Sequence, residues 1–222
     1  MLVGDSMADF FVARREMIDC QIRTADVTKY PILEAMSKIA REKFVPKHLS
    51  SVAYSESNLN IGSGRYLLEP RVFAKMLDLL DVTPKDLVLD IASGYGYSCA
   101  VLASLAEAVV AIEDEYFAKQ SQTILDKEAI HNALVYEGHL TQGLGKEESA
   151  DAIIIQGGIE NFPDELEKQA KIGGRIVAIF IDGFKGSCWK GLRTEKGVDW
   201  SFGFDASAPV LTEFTKERQF TF

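Results

Sequence analysis

The stretch Val88-Leu89-Asp90-Ile91-Ala92-Ser93-Gly94-Tyr95-Gly96-Tyr97 runs an apolar strand into an acid, turns through small residues and opens a helix. A second acid, Glu113, follows 23 positions after Asp90, at the end of the apolar run Val109-Val110-Ala111-Ile112. Together these residues spell one βαβ unit. An acid at the tip of its second strand can bind the two ribose hydroxyls of a nucleoside cofactor. Glycine in the turn lets the backbone approach such a ligand closely.

The cofactor class follows from what the turn contains. The NAD fingerprint would put a third glycine at position 99, where Cys99 stands, and no phosphate-binding G-x-x-x-x-G-K-[ST] run occurs. Asp90-x-Ala92-x-Gly94-x-Gly96 suits S-adenosylmethionine, which has no pyrophosphate and whose amino and sulfonium groups are cationic, so that Asp90 can attract them. Ser93, Tyr97 and Asp114 adjoin these positions and are counted with the cofactor contacts. Tyr97 reads either as a contact to the methionine end or as a packed aromatic at a helix start. The alternative for the whole motif is a plain tight turn between strand and helix.

The elements that must hold this loop are legible as a change of period near residue 80. Before it, apolar spacing predicts helices over about 7–24, from Pro31 onward, and from Pro70 onward, with Ile61-Gly62-Ser63-Gly64 as a turn or loop. After it come apolar runs at 87–91, 109–113, 133–136, 152–155 and 175–181, with helices at about 97–106, 116–128 and 163–170 between them. Continuous β-rich runs separated by helices predict a doubly wound, mostly parallel α/β sheet. Residues 187–204 and 209–222, with Phe214, Phe220 and Phe222, are expected to close it as one or two strands, and Trp189 and Trp200 to pack there. The reading is an N-terminal helical lobe, 1–80, over a cofactor-binding domain, 81–222.

Bulk properties narrow the partners. The net charge of −9 disfavours broad binding to nucleic acid or to an anionic membrane. No apolar run reaches the ~18 residues of a spanning helix, and the first residues lack the basic-then-apolar order of a signal peptide. Three widely spaced cysteines suit reduced thiols and a cytoplasmic setting. The three histidines and three cysteines show no zinc-site spacing, so no metal is expected.

The chain resembles the protein-L-isoaspartate O-methyltransferases along most of its length. Met17-x-x-x-Gln21-Ile22-Arg23, Leu33-x-Ala35-Met36, Arg41-x-x-Phe44-Val45-Pro46, Ala53-Tyr54, Ile61-Gly62-Ser63-Gly64 and Pro70 carry the resemblance before the cofactor loop. Asp151-Ala152-Ile153-Ile154, Pro163-x-x-Leu166 and Gly173-Gly174-Arg175 carry it after. Generic methyltransferases share the loop but not the 17–70 segment. The resemblance implies a Rossmann-like class I methyltransferase with a reversed last strand and an N-terminal lobe over the active site. It also implies S-adenosylmethionine as cofactor and, as substrate, a damaged protein or peptide carrying isoaspartate, whose carboxylate is methylated.

Against that family the sequence departs at three places. Its Gly-x-Gly-Gln-Thr-Ile-Ser-Gln-Pro-like segment reads Gly62-Ser63-Gly64-Arg65-Tyr66-Leu67-Leu68-Glu69-Pro70 here. Tyr66 and Leu68 replace hydroxyls that line the family's active site, so no catalytic residue is assigned; the family serine position is Leu68. Glu69 adds a negative charge. Arg65, Tyr66 and Leu68 are the expected substrate contacts, with Arg65 either pairing a carboxylate or lying solvated on the surface. The family's Gly-Asp-Gly loop reads Gly138-His139-Leu140, and a neutral His139 can accept from an adenine amino group where a protonated one cannot. Ala92 stands at the loop's first glycine position and is tolerable if its φ is negative. Gln156-Gly157-Gly158 is expected to form a small-residue loop that leaves room near the reacting methyl. Two further readings stay open, a different carboxylate or small acid as acceptor, and a cofactor-binding protein without turnover.

Overall fold

β-branched residues dominate the five apolar runs, and each run becomes a strand in the computed structural model, which describes residues 7–145 and 149–216. The strands are β3 (Leu87–Ile91), β4 (Ala108–Glu113), β5 (Ala133–Glu137), β6 (Ala150–Ile159) and β7 (Ala170–Asp182). β8 (Lys185–Thr194) and β9 (Gly197–Asp205) complete a seven-stranded sheet of order β5-β4-β3-β6-β7-β8-β9. The first five pair in parallel, β8 runs antiparallel to β7, and β9 runs antiparallel to β8. The reversed strand is therefore β8, and β9 returns to the direction of the parallel set. A switch in connection occurs beside β3, from which the chain moves first towards β4 and later towards β6. Ligands of open α/β sheets bind outside the carboxyl ends of the strands at such a point.

Alternation along the strands separates two cores. Val88, Ile154, Val177 and Ile179 join one, with Met17, Ile32, Phe44, Phe73 and Val101. Leu89, Ile153, Ile155, Ile176 and Ala178 join the other, with Leu211 and Phe214. Successive side chains of a strand point to opposite faces, so a sheet covered on both sides needs both sets to be apolar. The helices α3 (Pro70–Leu80), α4 (Tyr97–Ala103), α5 (Glu115–Lys127) and α6 (Asp164–Gln169) supply the cover. Pro70 opens α3, where its missing N–H is not needed.

The N-terminal segment differs from expectation in three details. The helix expected over 7–24 is α-helical only as α1 (Met7–Glu16). It continues as one widened π-helical stretch, Met17–Ile22, and a 3-10 turn. Met17, Ile18 and Ile22 are buried, Phe10 and Ala13 of α1 pack partly buried against the same core, and Phe11 is exposed. α2 (Tyr30–Lys38) has Pro31 in its first turn, as expected. Ile61-Gly62-Ser63-Gly64, expected as a turn or loop, ends β1 and makes the turn of a two-stranded hairpin, β1 (Leu59–Gly62) and β2 (Arg65–Leu67), separate from the main sheet. At the other end, 209–216 forms no strand beyond one bridge from Val210 to Gly158 and a 3-10 turn at Thr212–Phe214. Phe220 and Phe222 lie outside the described residues.

Candidate active site

The loop between β3 and α4 is tight because three residues take left-handed backbone conformations, Ala92 (φ 63), Gly94 (φ 60) and Gly96 (φ 90). A Cβ at Gly96 would lie 2.2 Å from Ser121 Oγ, so only glycine fits against α5. Ala92 corrects an expectation: its φ is positive, which costs an L-residue about 1–2 kcal/mol. Its amide bonds the Ile112 carbonyl, which anchors the strained turn to β4.

Asp90 and Glu113 stand at the ends of neighbouring parallel strands, as the βαβ reading requires. Both are fully buried. Asp90 is held by neutral donors alone. Ser98 Oγ (2.5 Å) and Cys99 Sγ (3.3 Å) donate to Oδ2, and Gln156 Nε2 (2.8 Å) to Oδ1. Burial pushes its carboxyl up to about 6, and the three hydrogen bonds pull the other way. Gln156 thus orients Asp90.

Glu113 is surrounded differently. Gly94 N donates to Oε1 (2.6 Å), while Arg65 Nε (2.9 Å) and Asp114 N (3.1 Å) donate to Oε2. Burial pushes the Glu113 carboxyl up to about 7, against the pull of Arg65 and the two amides. Arg65 is 3% exposed and also contacts Glu213 (3.2 Å) and Asp114 (3.7 Å). Burial opposes its charge, and the three carboxylates around it more than restore it. Of the two readings of Arg65, the solvated one is corrected: the side chain is buried and pairs a carboxylate, that of Glu113 at the end of β4.

The other expected residues divide into two groups. Asp114 caps α5, accepting from Phe117 N at 2.9 Å, and with Gly138 and exposed His139 it lines an open cavity of about 320 Å³. Tyr97, Ser93, Tyr66 and Leu68 line a second space of only about 10 Å³, bounded also by Arg41 and Gln156. Tyr97 is a packed aromatic, between Phe44 (5.9 Å between ring centroids) and Phe73 (5.7 Å). Glu69 is paired with Arg71 at 2.8 Å. The Gly157-Gly158 pair is not a loop. It lies inside β6, and a Cβ on Gly157 would meet Leu211 at 2.7 Å, one on Gly158 the Ala208 carbonyl at 2.5 Å. The room the glycines leave is filled by the chain's own 208–211 segment.

Two participants had no assigned role in the sequence reading. Arg41 is fully buried, donates to the carbonyls of Ala53 (2.6 Å) and Leu68 (2.5 Å), and stacks over Tyr97. Among the described residues it pairs with no carboxylate. Its position before Phe44-Val45-Pro46 was visible, but not its burial. Glu213 reaches Arg65 from 148 positions away, and nothing in the sequence signals that.

The strand order, the glycine turn and the paired strand-end acids define a Rossmann-like class I methyltransferase fold. The loop residues fit S-adenosylmethionine: Asp90 is a buried carboxylate without a cation, and Glu113 is a buried acid at the end of the next strand. The family model for protein-L-isoaspartate(D-aspartate) O-methyltransferase matches residues 13–183, and the chain belongs to that family. A relative in Syntrophus aciditrophicus, a protein-L-isoaspartate O-methyltransferase, is 39% identical over 173 residues, covering 77% of this chain and 79% of that protein. One in Geobacter metallireducens, with the same name, is 34% identical, covering 76% and 79%. Among solved structures, a Plasmodium falciparum beta-aspartate methyltransferase in complex with S-adenosyl-L-homocysteine superposes with TM-score 0.76 at 16% identity, over 90% of this chain and 98% of that one. A protein-L-isoaspartate O-methyltransferase structure gives the same TM-score at 18% identity, over 89% of this chain and 65% of its own. β8 and β9 lie beyond the family match.

Proposed function

We propose that this chain transfers a methyl group from S-adenosylmethionine to the carboxylate of isoaspartyl residues in damaged proteins. Membership of the family over residues 13–183 is the observation that carries the reading. The two strand-end acids support the cofactor half of it. S-adenosylmethionine, when bound, supplies a methyl group made electrophilic by its sulfonium. Asp90 would hold the cationic methionine end, Glu113 the ribose, and Asp114, Gly138 and His139 the adenine. The residues 1–80 would cover the acceptor side, with Tyr66 and Leu68 in its wall.

The acceptor carboxylate ionises near pH 4, so the protein needs no strong general base at neutral pH. What remains is orientation and exclusion of water. Leu68, nearly fully buried, cannot donate to that carboxylate. Arg41 lines the same wall and holds the Leu68 carbonyl, so it fixes the backbone there and places a cation beside the acceptor path. No helix among the described residues is long and apolar enough to cross a membrane. Three free cysteines agree with action in the cytoplasm.

Leu68 and Tyr66 in that wall also favour a second reading, in which another carboxylate or a small acid is the acceptor. Methyl transfer from labelled S-adenosylmethionine to an isoaspartyl peptide, with the matching aspartyl peptide as control, tests the assignment. Selective methylation of the isoaspartyl peptide is the expected result. Cofactor binding with transfer to neither peptide overturns it and leaves the second reading or a binding role without turnover.

A further inference from the structure

We propose that Arg65 gates the cofactor site: its ion pair with Glu113 pins the β1–β2 hairpin over the glycine loop, and a nucleoside binds only when Arg65 releases that acid. The inference rests on the reading that residues 90–114 bind a nucleoside cofactor.

Occupancy of Glu113 is the first argument. A carboxylate oxygen has two lone pairs, and Oε2 already accepts from Arg65 and from Asp114 N. Oε1 accepts from Gly94 N. The two amide bonds belong to the loop and to the turn into α5. One acceptor site remains on Oε1, whereas a ribose diol brings two donors; removal of the Arg65 bond frees the second.

Position of the hairpin is the second. Ile61, in β1, lies so close to the loop that a Cβ on Gly94 would sit 2.4 Å from its Cδ1. The space that glycine leaves for a ligand is thus occupied by Ile61. Tyr66, Leu67 and Leu68 line the methionine-side space of about 10 Å³, which admits no more than a water. The adenine-side cavity, lined by Arg65 itself, stays open at about 320 Å³. Successive residues of one short hairpin therefore border both halves of the cleft, closing one and leaving the other open.

A release path is the third. Glu213 and Asp114, both partly exposed, already flank Arg65. A guanidinium that leaves Glu113 keeps two carboxylates within reach, so opening does not strand a buried cation. The hairpin pairs with no strand of the main sheet. Its turn has positive φ at Gly62, Ser63 and Gly64.

Calorimetric titration of the full chain with S-adenosylhomocysteine tests the gate, with Arg65→Gln, Arg65→Lys and Ile61→Ala beside the wild type. Arg65→Gln is expected to bind about tenfold more tightly or better, a typical coupling between two competing equilibria. Ile61→Ala should tighten binding by a smaller factor, because it loosens the same hairpin without touching the acid. Arg65→Lys should fall between wild type and Arg65→Gln. Equal or weaker binding by folded Arg65→Gln overturns the gate and leaves the cofactor reading intact. If Arg65→Gln does not fold, unchanged or weaker binding by Ile61→Ala overturns it. No binding by any of the proteins overturns the gate and the cofactor reading together.

Discussion

Asp90 and Glu113 are both buried carboxylates at the ends of adjacent strands, yet their surroundings differ in kind. Neutral groups alone hold Asp90, the Ser98 hydroxyl, the Cys99 thiol and the Gln156 amide. Glu113 has a guanidinium and two backbone amides. Burial raises both carboxyls, Asp90 to about 6 and Glu113 to about 7, so the two differ in their partners and not in the direction of their titration. An acid held by neutral groups alone is suited to a ligand that brings its own cation. Glu113 has been matched from within, so a ligand there must compete. One end of the cleft is prepared for binding, and the other is occupied by the protein.

The contrast is broken most directly by removing the matched acid. Glu113→Gln takes from Arg65 its shortest ion pair, leaves Glu213 and Asp114 beside it, and should cost about 1.5–3 kcal/mol, the worth of a hydrogen bond between charged groups, measured by urea unfolding at neutral pH. Adding Arg65→Gln should recover most of that loss, and a purely additive double variant would contradict the pairing. A second experiment isolates Asp90 by pH. Its folded carboxyl holds the proton to higher pH than the unfolded one, so its contribution to stability is present below about pH 4 and lost as pH rises to about 6. The stability of Asp90→Asn relative to wild type should therefore rise by roughly 2–3 kcal/mol between pH 4 and 7. A flat difference across that range would mean that Asp90 is not ionised by burial-shifted titration. Third, Asp90→Asn should weaken S-adenosylhomocysteine binding about tenfold or more, as loss of a charged hydrogen bond does. Titrations on a folded variant check it. The smallest effect lies between the two acids, where Ala92→Gly relieves a positive φ and should add up to about 1 kcal/mol to stability.

How far the sequence foretold this architecture depends on the range of the interactions. β3, β4, β6 and β7 were legible because Val88, Ile112, Ile154 and Val177 sit in buried runs, and burial on both faces leaves a continuous apolar signal. The glycine loop and Glu113 were legible because a βαβ unit fixes their spacing. The hairpin was not: strands of four and three residues are too short for alternation to register. Arg65 was read as a substrate contact because its partner is 48 positions away, a separation no local pattern encodes. The same holds for Gly157 and Gly158, which make room for residues 208–211 and not for a ligand. Ala92 was misjudged for another reason, since the strain at a loop position depends on its φ and not on its size.

The rim of the open cavity carries Asp114, Glu115, Glu137 and Glu213 against Arg65 and His139. Most adenine-bearing molecules in a cell arrive with phosphates attached. A phosphate at that rim meets several carboxylates at contact range, where screening over a Debye length of about 8 Å at physiological salt is incomplete. A sulfonium nucleoside carries no phosphate and meets no such opposition. On the proposed reading of this cavity as the adenine site, the acidic rim disfavours phosphate-bearing competitors by charge.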